Sequence, residues 1–184
     1  MAKIINSIVS GIKGGVKGAL EGSADLGSTI VESVKDITIT TIQGAKDIVI
    51  KGIQVPASIV QGAFEGITNI GKGTIELVKG IVNGAVQGAM HSGVEQKDAV
   101  QGSVKQAIHS AKELGLDVAS VAVEAVKGSV NGVKQVGGDT VLATKNAIIA
   151  AVEATGEISI ESTAAVKKAI DQGVEGGKDI LKQL

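Results

Sequence analysis

Two histidines, His91 and His109, are the residues with the widest chemical repertoire in this chain, which has no cysteine. They stand 18 positions apart with no carboxylate cage written around them, so the spacing of a zinc or catalytic site is missing. The absence of cysteine removes thiolate catalysis, disulfides and cysteine-ligated metal. Serine, histidine and aspartate all occur, but no GxSxG or related nucleophile motif does. Glycine-rich pieces such as Gly11–Gly18 and Gly71–Gly73 lack the GxxxxGK[ST] pattern of a phosphate loop. The acidic residues recur as a solvated face would, whereas the paired carboxylates of an active site are few and pocketed. The threonines are too scattered for a regular ice-binding face. These residues imply no enzyme, no cofactor and no metal.

Composition narrows the partners. The 184 residues carry 18 lysines, no arginine and 19 acidic groups, for a net charge of -1. One Phe is the sole aromatic besides the two histidines. A nucleic-acid binder needs a basic surface and usually stacking rings, so nucleic acid is excluded. The apolar content, 43% of residues, is too high for ordinary disorder. Glycine is unusually common at 26 residues. The longest uncharged runs, Gly52–Phe64 and Gly80–Val94, fall short of the ~20 residues of a simple transmembrane helix. No signal peptide is evident near Met1–Ile12. The compartment is left open, with the cytoplasm favoured over a membrane.

The elements that would position these side chains emerge when the chain is sorted in elevens. One column reads Leu20, Val31, Ile42, Ile53, Phe64, Ile75 and Val86; a second reads Leu26, Ile37, Ile48, Ile59, Ile70 and Ile81. Glycines Gly22, Gly44, Gly66 and Gly88 border the arc on one side, and lysines such as Lys35, Lys79 and Lys134 border it on the other. Eleven residues make three turns at ~3.67 per turn, so the columns trace one continuous apolar arc on a helix. The expected fold is all-α: long amphipathic hendecad helices in a right-handed or nearly straight coiled coil or bundle, arranged as a helical hairpin. One helix would occupy 1–91, frayed over 1–18 and kinked at Pro56. A turn at 92–98 would follow, with Asp98 and Gln101 as a capping box. A second helix would fill 99–184, with a break at 137–139. The Ile- and Thr-rich segments Asp36–Gln43 and Asp47–Gln54 also read as β.

Glycine and β-branched residues are poor helix formers, so the apolar arc must be covered by something. Leu20, Val31, Ile42, Ile53, Phe64, Ile75, Val86, Leu26, Ile37, Ile48, Ile59, Ile70 and Ile81, with Gly22, Gly44, Gly66 and Gly88, are the expected helix-packing interface. The expected function is structural: a self-associating homo-oligomer, filament or tube built from copies of the chain. The alternative is a lipid-surface amphipathic helix with its lysines at anionic headgroups.

The apolar 11-residue repeat, with strings such as Val78–Ala89 and Val123–Gly138, resembles hendecad coiled-coil proteins and, more narrowly, Gly/Ala/Val-rich bacterial hypothetical proteins. Composition is similar to that of synucleins, whose 11-residue repeats form lipid-surface helices, but a faithful KTKEGV motif and an acidic tail are lacking. Group 3 late-embryogenesis proteins share the period and are far more charged. The resemblance implies a coiled coil and names no activity.

Overall fold

The computed structural model describes residues 2–44, 54–68 and 74–184. Over these the chain is helical, in short segments: α1 (Ala2–Glu21), α2 (Leu26–Gly44), α3 (Gln54–Thr68), α4 (Thr74–His91), α5 (Gln96–Glu113), α6 (Val118–Gln135), α7 (Thr140–Gly156), α8 (Ile160–Gly173) and the single-turn α9 (Gly177–Leu181). At ~1.5 Å per residue an 18-residue helix such as α5 is about 27 Å long, a small part of what one continuous hendecad helix would span. The two long helices expected over 1–91 and 99–184 are therefore corrected to a series of short ones, and the hairpin to repeated reversals.

The reversals follow one local code. After α4, α5 and α6 the chain takes a left-handed step at Gly93, Gly115 and Gly137, with φ of 87°, 68° and 75°. A Cβ is disfavoured there, which is why glycine holds these places. The next amides, of Val94, Leu116 and Gly138, donate back to the carbonyls of Ala89, Ala111 and Val133 at 3.0, 2.8 and 2.9 Å. This is the Schellman closure of a helix C-terminus. Helix N-caps follow two residues after each glycine, at Glu95, Asp117 and Asp139. Asp117 Oδ1 accepts from the Ser120 amide at 2.6 Å and Asp139 Oδ1 from the Leu142 amide at 2.9 Å, satisfying amides that a helix start otherwise leaves free. The residues expected as a capping box lie inside α5 instead: its N-cap is Glu95, and Asp98 stands in the first turn.

Helices α4 to α7 consequently start 22 residues apart, at Thr74, Gln96, Val118 and Thr140. Each of α1 to α8 packs most extensively on a helix two places before or after it. The odd helices α1, α3, α5 and α7 form one layer and the even helices α2, α4, α6 and α8 a second, with sequential helices packing across the layers. The short connections make those sequential neighbours antiparallel. A single apolar core runs between the layers, including Ile12, Ile30, Phe64, Ile81, Val104, Ile108, Val126 and Ile148. One buried phenylalanine suffices because close-set helices need small and β-branched fillers more than rings.

Two local expectations change. Pro56 lies in the first turn of α3, where its missing N–H costs no helical hydrogen bond, so it opens a helix and does not kink one. Asp36–Gln43 is helical within α2, which packs along α4; this tertiary contact overrides the β preference of Ile and Thr. Asp47–Ile53, expected as β, falls outside the described residues.

Candidate functional site: the glycine-lined helix faces

The expected packing residues divide by position. Leu20, Ile59, Phe64, Ile81 and Val86 are buried; Leu26, Val31, Ile37, Ile42 and Ile75 are half-buried. Ile48, Ile53 and Ile70 lie outside the described residues. The described members of the set are covered by other helices of the same chain.

The glycines show how that partner approaches. Pairs of glycines four apart on one helix sit over pairs of backbone carbonyls four apart on the helix two places earlier. In α3, a Cβ at Gly62 would stand 2.7 Å from the Val9 carbonyl oxygen, and one at Gly66 3.0 Å from that of Lys13. In α4 the same positions are Gly84 over Val31 at 2.5 Å and Gly88 over Lys35 at 2.7 Å. In α6, Gly128 lies over the Lys79 carbonyl and Gly132 over that of Asn83, at 2.8 Å. No side chain fits at such distances. The bare Cα instead lets two backbones touch, with Cα–H groups facing carbonyl oxygens. The cost of glycine within a helix, ~0.8–1 kcal/mol relative to Ala, is offset at these pairs by close packing. Gly22 and Gly44 have nothing within 4 Å and take no part. In the odd layer α5 packs along α7, and the two helices bury Ala107, Ala111, Ala147, Ala151 and Ala154.

Polar groups reinforce the same neighbours. Lys105 of α5 pairs with Glu153 of α7 at 2.6 Å, and one turn on His109 Nε2 lies 3.2 Å from Glu157. Lys13 of α1 faces Glu65 of α3 at 3.6 Å. Gln87 Nε2 donates to Asn83 Oδ1 at 2.7 Å within α4 and to Gln135 Oε1 of α6 at 2.5 Å. Gln96 clamps a turn two helices away: its Nε2 donates to the Asp139 carbonyl at 2.8 Å and its Oε1 accepts the Asp139 amide at 3.0 Å. His91 Nδ1 lies 2.9 Å from the Gln87 carbonyl of its own helix. Sequence reasoning placed both histidines and the acids in solvent; it missed that His109, Glu65, Glu153 and Glu157 bridge helices.

Two carboxyls are perturbed. Hydrogen bonds from Ser120, side chain and amide, hold the Asp117 carboxyl below the usual carboxylate range. Ser28 does the same, again through its hydroxyl first, for Asp25 at the start of α2. Both are helix caps by geometry. Among the described residues no group of three or more His, Asp or Glu is arranged to hold a metal ion. None of the described helices is long and apolar enough to cross a membrane.

No family model matches the chain, and no curated protein matches it. A solved structure does: the crystal structure of the de novo designed helical repeat protein DHR7, with a TM-score of 0.55, 22% identity, and coverage of 97% of this chain and 95% of that one. The fold is a tandem helical repeat. In this solenoid each helix meets its neighbours in sequence and the helices two places away, which is the quasi-one-dimensional logic of repeat proteins. The likeness overturns the hendecad coiled-coil assignment and, with it, the self-associating filament and the lipid-bound helix. Both required the apolar arc to be free for copies of the chain or for lipid, and the solenoid packs it inside one chain.

Proposed function

We propose that the chain is a non-enzymatic helical-repeat scaffold that folds on its own in water. The observation that supports this most is the set of glycine pairs over backbone carbonyls, Gly62 and Gly66, Gly84 and Gly88, Gly128 and Gly132. They supply within one chain the covered interface that such a glycine-rich helix requires. In this reading the protein presents a rigid, charge-balanced surface of fixed repeat, and it works in an aqueous compartment, with the cytoplasm favoured. Its role is mechanical: to hold a defined length and shape.

Circular dichroism and sedimentation velocity, at dilute concentration and without liposomes, test the proposal. The expected result is a fully helical monomer of 18.4 kDa whose helicity is independent of concentration and unchanged by anionic vesicles. An unfolded chain that gains helix only with vesicles, or only on assembly, overturns it.

A further inference from the structure

Two of the five asparagines, Asn83 and Asn131, are each followed directly by glycine. Asparagine is among the thermolabile residues, and glycine is the least hindered neighbour it can have, since no Cβ shields the next backbone nitrogen. The chemistry is internal. The glycine nitrogen attacks Cγ of the asparagine and loses its proton, and ammonia leaves with Nδ2, closing a succinimide ring. Water then opens one of the two ring C–N bonds. One route restores the chain with aspartate in place of asparagine. The other leaves isoaspartate, whose main chain runs through Cβ and Cγ and whose former backbone carbonyl is a free carboxylate. In sum one water is taken up and one ammonia released.

The fold brings both Asn–Gly units to one contact. Gly132 of α6 sits over the carbonyl of Asn83 itself, where a Cβ would stand 2.8 Å from the oxygen. That carbonyl is the one the ring chemistry consumes. While α4 and α6 are intact, both units are closed to reaction. Inside a helix the Gly84 and Gly132 amides are spent on carbonyls four residues back, and ring closure needs the asparagine ψ to leave its helical value. Asn83 is held further: it stands mid-helix, 6% exposed, with Oδ1 accepting from Gln87 Nε2 at 2.7 Å. Asn131 is the less protected of the two. It is half-buried, four residues from the end of α6, and lines a surface notch of about 580 Å³ between α6 and α7.

We propose that the α4–α6 contact is a modification site that records opening of the solenoid, converting Asn131 first and Asn83 second. Fraying at the end of α6 frees the Asn131–Gly132 unit. Isoaspartate at 131 lengthens the main chain directly ahead of Gly132 and lifts that glycine from the Asn83 carbonyl. Loss of one interface in a repeat array weakens the helices on either side of it, so α4 opens more often and the Asn83–Gly84 unit reacts in turn. The change is covalent, and a chain that has reacted cannot close the contact again.

Peptide mapping tests this on the full chain, incubated in warm, mildly alkaline buffer with and without urea. Cleavage after lysine isolates Asn83 in peptide 80–97, Asn131 in 128–134 and, as a slow control followed by Ala147, Asn146 in 146–167. Mass spectrometry reads the conversion of amide to acid and the isoaspartate formed. In urea both Asn–Gly peptides are expected to convert together, ahead of 146–167. In native buffer both should be slower by at least about tenfold, equivalent to ~1.4 kcal/mol of opening, with 128–134 leading. Asn131→Gln keeps an amide but closes its larger ring slowly. With helicity unchanged by circular dichroism, this variant should convert Asn83 more slowly than the parent in native buffer and at the parent rate in urea. Equal rates with and without urea overturn the gate. Conversion of 80–97 ahead of 128–134 in native buffer, or an Asn83 rate that Asn131→Gln leaves unchanged there, overturns the sequence of events.

Discussion

Replacing Gly84 by alanine separates the solenoid from any arrangement in which the glycines lie on a free surface. A Cβ at Gly84 would lie 2.5 Å from the Val31 carbonyl oxygen, 2.9 Å from Val34 Cβ and 3.0 Å from the Lys35 amide nitrogen. Ordinary contact begins at 3.4 Å, so the α2 and α4 backbones must part by roughly 0.9 Å along that line, and backbone atoms have no rotamer with which to yield. Overpacking of this kind costs about 1–3 kcal/mol. The helix-propensity gain of Gly→Ala returns up to ~1 kcal/mol, leaving a net loss of up to about 2 kcal/mol. Gly18 of α1, with nothing within 4 Å, is the internal control: Gly18→Ala retains only the gain and stabilises by up to ~1 kcal/mol. Urea unfolding followed by circular dichroism measures both. Opposite signs are expected. Equal stabilisation by the two substitutions would refute the packing of α4 on α2 through Gly84.

Further outcomes follow from the turns and the charged pairs. Gly115→Ala should destabilise by about 1–2 kcal/mol in thermal unfolding although its surroundings are empty, because φ at that residue is 68°; a neutral result would remove the left-handed step after α5. Asp117 is held below its ordinary value of 3.8 in the folded chain, so the folded state binds fewer protons and stability rises with pH. Its contribution is present above 3.8 and is lost as pH falls through the lowered folded value. Asp117→Ala should cost ~1 kcal/mol at neutral pH and flatten the acid limb of the melting curve, and an unchanged acid limb counts against the cap. A double-mutant cycle on Lys105 and Glu153 should give a coupling of ~0.2–1 kcal/mol that shrinks with salt; coupling that ignores salt would contradict a half-exposed pair bridging α5 and α7.

The eleven-residue columns were legible in the sequence because apolar residues recur at that period; in the fold Phe64, Ile81 and Val86 are buried, while Val31, Ile37 and Ile75 are half-buried. The reversals were legible only in part: the expected turn at 92–98 and break at 137–139 hold the reversals at Gly93 and Gly137, and the one at Gly115 was hidden by the same arithmetic. An 18-residue helix such as α5 plus a four-residue turn makes 22, or two elevens, so the phase survives each turn as it would survive an unbroken helix. The discriminating signal was Gly93, Gly115 and Gly137, spaced by 22, with an acid two residues after each. It was diluted among 26 glycines of which many serve close packing instead. Covering the apolar arc required a partner, and sequence alone does not say whether that partner is another molecule or the next helix. The bridging roles of His109 and Glu157 were unreadable for a related reason, since residues 48 apart become neighbours only through the two-layer stacking.

Equal spacing of the turns has a genetic corollary. From α4 to α7 the helices start at a common interval of 22, and α4 and α6 carry their glycine pairs 44 residues apart, so a 44-residue block holding one odd and one even helix can be lost or duplicated there with the interval kept. A gene encoding such a chain can change the length of its product in whole steps by unequal recombination between its own repeats. Selection would then tune the span of the product without redesigning a single interface.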